Sequence, residues 1–224
     1  QNKAYFQAKK ILSSVNPLHF PIAFPEVFTG KTKGFNVIIG NPPWEEIVIN
    51  EDKYWARYYP GLNSLKPRAQ ELKKEELRNS RPDLVEEFNK EFLKAKKMRQ
   101  FLHAGNFPGM GTGDPDLYKA FLWRFWFVSS EEIGRIGVVL PREAMSAKGS
   151  EIFRRKLLSS ISSIEITSLE NSKRWVFDIH PQQTICLVSI TKKTNDIKNT
   201  ISLRGPYNSL QSFNDGKNKK PNLI

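Results

Sequence analysis

Phe35-Asn36-Val37-Ile38-Ile39-Gly40-Asn41-Pro42-Pro43-Trp44 decides how the rest of the chain is read. Val37, Ile38 and Ile39 are β-branched, and the run is closed by glycine and proline, which predicts a short buried strand over 35–40. Neither a strand nor a helix can follow at once. Each proline fixes φ and removes a backbone donor, and a residue before proline is driven to extended geometry. Asn41 is therefore expected at a strand end, extended, with acceptors in excess of donors and an aromatic ring close behind. An amide, free carbonyls and a ring suit a planar group that carries an NH2.

Working outward, strands are expected at 135–140, 164–169 and 184–190, and helices at 3–14, 116–128 and 149–159. Strands alternating with helices predict an α/β fold with a mostly parallel sheet and helices on both faces. The last two strands lack an obvious helix between them, so they are expected to form a hairpin with an antiparallel edge. Residues 20–28 read as proline-broken and extended. Residues from about 51 to 105 read as a charged helical insertion, with Tyr54, Trp55, Tyr58 and Tyr59 at helical spacing and a break near Ser80-Arg81-Pro82. Gly105 to Gly113 reads as a flexible loop beside the site. From Lys192 on, seven Lys/Arg face only Asp196 and Asp215, as in a basic linker or the start of a target-recognition domain. The catalytic part then occupies 1–191 and the tail 192–224.

Composition narrows the partner. The 224 residues carry 35 Lys/Arg against 23 Asp/Glu, a net charge of +12, which favours a polyanion through counterion release. Cys186 is the single cysteine, so no disulfide forms within the chain and no thiolate metal cluster is possible. No apolar stretch approaches the ~20 residues that span a membrane, and a cytoplasmic setting is expected. His19, His103 and His180 have no ligand-like spacing, so no metal is expected. Pro82-Asp83 and Pro115-Asp116 lack a following Glu-x-Lys, so no nuclease site is read here.

Phe35 to Trp44 resembles the Asn/Asp-Pro-Pro-aromatic motif of amino-group S-adenosylmethionine methyltransferases. The longer strand-Gly-Asn-Pro-Pro-Trp form is most similar to DNA adenine-N6 methyltransferases of restriction-modification systems, especially the type IIG-like enzymes. Phe20-Pro21-Ile22-Ala23-Phe24-Pro25-Glu26-Val27-Phe28 resembles the same family. Asn36 departs from it, standing where the family usually has Asp. The resemblance implies the C-terminal part of a Rossmann-like class I methyltransferase domain, a double-stranded DNA partner and a flipped adenine. It also implies S-adenosylmethionine as cofactor, bound mainly by a Gly-rich strand–loop–helix upstream, in the remainder of the parent polypeptide. The chain is accordingly read as a fragment, inactive alone.

That resemblance also assigns roles. Adenine N6 is a poor nucleophile because its lone pair is delocalised into the ring. The Asn41 side-chain oxygen and the Pro42 carbonyl would accept its two N–H bonds, with Pro43 and Trp44 completing the catalytic motif. Trp44 and Phe177 would stack on the base, worth ~1–3 kcal/mol. Tyr118 and Phe121, in Asp116-Leu117-Tyr118-Lys119-Ala120-Phe121, would line the cofactor adenine. The alternatives are an RNA or protein-glutamine methyltransferase, or a non-catalytic DNA-binding module on the same fold.

Overall fold

The computed structural model describes residues 2–13, 17–48, 50–111, 115–178, 184–192 and 199–224. In chain order the elements are helices α1 (Asn2–Ser13), α2 (Phe20–Ala23) and α3 (Pro25–Thr29), strand β1 (Val37–Gly40), helices α4 (Glu51–Ala56), α5 (Pro67–Ser80), α6 (Pro82–His103) and α7 (Leu117–Val128), strand β2 (Arg135–Pro141), helices α8 (Glu143–Ser146) and α9 (Glu151–Leu158), strands β3 (Ile161–Glu170), β4 (Thr184–Lys192) and β5 (Thr200–Tyr207), helix α10 (Leu210–Gly216) and strand β6 (Asn222–Leu223). His180, Thr112 and Gly113 lie outside the described residues.

The sheet is ordered β1-β2-β4-β3-β5-β6. β1, β2, β3 and β5 share one direction, while β4 and β6 oppose it. The expected hairpin is β3–β4, and its second strand inserts between β2 and β3 instead of adding outside them. Period-two alternation sorts β2: Ile136, Val138 and Leu140 are buried, while Gly137 and Val139 are half-buried. The buried set meets Tyr118, Leu122 and Trp123 of α7 and Phe153 and Leu157 of α9 in one core. Each such side chain taken fully from water contributes about 1.5–3 kcal/mol. On the opposite face lies α10, whose Phe213 shares an open groove of about 370 Å³ with Ile39, Gly137, Val139 and Leu187.

Four expectations change. β1 is not the buried strand expected: Val37 is 58% and Ile39 84% exposed, because among the described residues β1 is a sheet edge with β2 as its only neighbour. Residues 20–29 are helical turns, not extended: Pro21 and Pro25 sit in first turns, where a missing N–H costs nothing. Their Phe20, Phe24 and Phe28 rings surround Phe35 at 5.7, 5.7 and 5.5 Å. Residues 200–223, expected as linker or a new domain, extend the same sheet through β5, which runs parallel to β3. The glycine-rich loop is packed down: Met110 is buried, and the Trp123 Nε1–H donates to the Pro108 carbonyl at 2.7 Å. Gly109 has φ +78°, and a Cβ there would stand 2.4 Å from the Phe153 Cα, so only glycine fits.

The insertion builds its own core from Tyr54, Trp55, Leu62 and Leu84. Pro82 starts α6 directly after α5, at the break read from the sequence. Lys74 of α5 binds Asp52 at 2.8 Å and Glu71 at 2.7 Å, and Arg78 binds Glu51 at 2.6 Å, which ties α5 to α4. No described helix is long and apolar enough to cross a membrane.

Candidate active site

β1 delivers the motif. At its last residue a Cβ on Gly40 would stand 2.9 Å from the Phe125 ring, so the absent side chain lets α7 close against the strand end. Asn41 follows, exposed at the carboxyl end of β1, and Pro42 is buried beneath it. Trp44 is half-buried, and its indole N–H donates to the Val139 carbonyl of β2 at 3.3 Å. That bond orients the ring from the neighbouring strand. The chain leaving Trp44 is pinned to the start of α7, since Leu117 N–H donates to the Glu45 carbonyl at 3.0 Å and Ile47 N–H to the Pro115 carbonyl at 3.1 Å.

Phe177 comes from the connection after β3. Asn171, fully buried, holds that connection with its side chain. Its Nδ2 donates to the Phe177 carbonyl at 2.8 Å, and its Oδ1 accepts from Val176 N–H at 3.1 Å and Phe177 N–H at 3.4 Å. Trp175 adds an indole bond to the Glu170 carbonyl at 2.8 Å. Sequence reasoning misses Asn171. A turn signal in Asn171-Ser172 after a strand is legible, but the direction of the amide is not.

Asn41, Pro42, Pro43, Trp44 and Phe177 line one cleft of about 280 Å³. Two prolines without N–H groups and one amide oxygen make its floor rich in acceptors. Trp44 and Phe177 add two aromatic residues to its lining. Such a cleft can take a flat aromatic group and accept hydrogen bonds from an amino substituent on it.

Tyr118 and Phe121 do not line this cleft. Tyr118 is buried between α7 and α9, with its ring edge-on to Phe153 and its hydroxyl 3.5 Å from Ser150 Oγ. Burial pushes the phenol well above its ordinary pKa. The tyrosine lines a separate cleft of about 530 Å³ with Asp116, Lys119 and Glu143. Phe121 is 40% exposed and its ring stands 6.3 Å from Phe125, the ring that covers Gly40. His19 and His103 are exposed and lie on different elements. Among the described residues no three His, Cys, Asp or Glu side chains are grouped as a metal would need.

Comparison with known proteins places the chain. No curated protein sequence matches it. Among solved structures, a cryo-electron microscopy complex of DrdV with DNA is similar at 15% identity and a TM-score of 0.48, covering 84% of this chain and 17% of that one. The ATP-dependent Type ISP restriction-modification enzyme LlaBIII bound to DNA is similar at 15% identity and a TM-score of 0.42, covering 84% of this chain and 12% of that one. A type I restriction-modification system methyltransferase subunit from Streptococcus thermophilus is similar at 16% identity and a TM-score of 0.36, covering 51% of this chain and 26% of that one. The chain thus spans well under a third of each of these chains. The Eco57I restriction-modification methylase family model matches residues 1–177, and the chain belongs to that family.

Proposed function

We propose that this chain forms the target-amine side of a DNA adenine-N6 methyltransferase, type IIG-like, in a restriction-modification or phage-defence enzyme. The observation that carries the reading is the single cleft shared by Asn41, Pro42, Pro43, Trp44 and Phe177. An adenine swung out of the duplex would lie against the Trp44 and Phe177 rings, which offset part of its unstacking cost. Asn41 Oδ1 and the Pro42 carbonyl accept the two N6 hydrogens. As they do so, the nitrogen loses conjugation with the ring and its lone pair becomes available. Both acceptors gain strength as positive charge develops on nitrogen, so the stabilisation is concentrated in the transition state. The net charge of +12 supports a nucleic-acid substrate over a protein one.

S-adenosylmethionine would supply an electrophilic methyl on a sulfonium. The chain's own contribution to holding it is assigned to Phe121, whose half-exposed ring continues from Phe125 and Gly40 as an apolar shelf at the root of Asn41. Among the described residues the glycine-rich segment follows helix α6 and not a strand, so no cofactor-loop role is assigned to it.

The test incubates the full-length protein with methyl-labelled S-adenosylmethionine and equal amounts of DNA, RNA and protein acceptors. The expected product is N6-methyladenine in DNA. Label confined to RNA or to protein glutamine would overturn the substrate. Salt-sensitive DNA binding with no label in any acceptor would leave a binding module.

A further inference from the structure

Helix α6 is divided by charge. Its first half carries Asp83, Glu86, Glu87 and Glu91, and each has a partner: Arg81, Lys90, the Tyr58 hydroxyl and Arg57 respectively. Its second half carries Lys94, Lys96, Lys97 and Arg99, and from Phe92 to Gly113 the sequence holds no Asp or Glu. Lys94, Lys96 and Lys97 are exposed and form no ion pair with a described residue. Complementing the helix dipole accounts for a cation in the last turn alone, because that effect fades beyond it. Lys94 to Lys97 stand more than a turn before the end at His103.

The placement of this half matters more than its composition. Leu102 packs with Met110, Ala120 and Ile47, so the basic end of α6 is fixed to the chain that leaves Trp44. Val48 shares a groove of about 420 Å³ with Phe92, Lys96, Arg99, Gln100 and His103. Of the two acids in the same segment, Glu46 lines the other cleft with Asp116 and Glu45 is exposed. Exposed Phe92 and Phe101 flank the cations with apolar surface.

We infer that Lys94, Lys96 and Lys97, spread over the solvent side of α6, contact phosphates of the DNA backbone flanking the target base, a role that rests on the proposed function. Charge complementarity commits the occupant to a polyanion. The anchoring of α6 through Ile47 and Leu102 ties the basic half of the helix to the segment that leaves Trp44. Phosphate contacts of this kind set position and affinity without reading sequence.

The experiment uses the full-length protein and a fluorescent mixed-sequence DNA duplex, with the dissociation constant followed over about 50–200 mM salt. Lys94→Gln/Lys96→Gln/Lys97→Gln should reduce the slope of log affinity against log salt by about 2 to 3, at ~0.9 for each phosphate no longer neutralised. It should also raise the KM for DNA. A matched control, Lys9→Gln/Lys10→Gln/Lys156→Gln, removes the same charge from α1 and α9 and should leave the slope near wild type. An unchanged slope in the α6 variant overturns the inference, and so does an equal reduction in the control. The slope is read without turnover. A wild type that binds DNA but transfers no methyl group would therefore sink the proposed function while this face is still judged on its own.

Discussion

Asn171→Ala is the most revealing perturbation outside the cleft. It removes three hydrogen bonds to the backbone of 176–177, at 2.8, 3.1 and 3.4 Å. At about 1 kcal/mol net for each of the two shorter bonds and less for the third, the connection carrying Phe177 loses roughly 2–3 kcal/mol of local support. That is comparable with the ~1–3 kcal/mol that one base gains on an aromatic face. If Phe177 leaves the cleft, kcat/KM for DNA should fall roughly 5- to 150-fold, since about 1.4 kcal/mol is tenfold. Phe177→Ala should do the same, and the double variant should be little worse than either alone, because Asn171 acts through Phe177. Thermal melts of all three variants separate this effect from general unfolding. Wild-type kcat/KM in Asn171→Ala would refute the reasoning. Fully additive effects in the double variant would also refute it, by showing that Asn171 and Phe177 act independently.

Gly40→Ala should destabilise by about 1–3 kcal/mol, as overpacking does, and slow transfer by pushing Phe125 against the strand end; Phe125→Leu in the same chain should recover melting temperature, and no recovery would discount the contact. Burial raises the Cys186 thiol above its ordinary value. The folded state therefore favours the neutral thiol, a contribution present below the unfolded pKa and lost as pH rises through the folded one. Cys186 should accordingly resist a disulfide reagent at about pH 8, near the ordinary thiol range, until denaturant is added, and immediate labelling would contradict its placement. Hydrogen bonds from Lys74 and Arg78 lower the Glu71 pKa from its ordinary 4.5. Its support of the insertion is present above that value and fades as pH falls through the lower folded one, so Glu71→Gln should flatten the acid limb of the helical signal; an acid limb identical to wild type would count against the network.

Periodicity and turn chemistry reveal a good part of this fold. Apolar runs at 135–140 and 184–190 and the prolines at 82 and 141 mark elements whose local preference agrees with their tertiary setting. Misreadings arise where neighbours decide the outcome. Ile39 is as apolar as Ile136, and only position in the sheet leaves it 84% exposed while Ile136 is 1% exposed. Pro21 and Pro25 break a strand or begin a helix equally well, and the Phe35 ring at their centre selects the second. β5 has a mixed apolar and polar run whose partner is β3, more than thirty residues back, which no local signal specifies. The same holds at the site. Asn41, Pro42, Pro43 and Trp44 are adjacent in sequence and announce themselves together. Phe177 joins their cleft across the sheet, and Asn171, which holds it, is legible only from the direction of its amide. Tyr118 and Phe121 share one helix, yet Tyr118 turns into the core while Phe121 stays half-exposed, so closeness on a helix does not mean a shared site.

The central claim is that Asn41 activates the amino nitrogen of a DNA base, and it is tested most directly by Asn41→Ala in the full-length protein. Methyl transfer from labelled S-adenosylmethionine to DNA should be abolished at saturating DNA, while the dissociation constant for the same duplex stays within about twofold of wild type, because the phosphate contacts that dominate affinity are untouched. Transfer at the wild-type rate would contradict the claim.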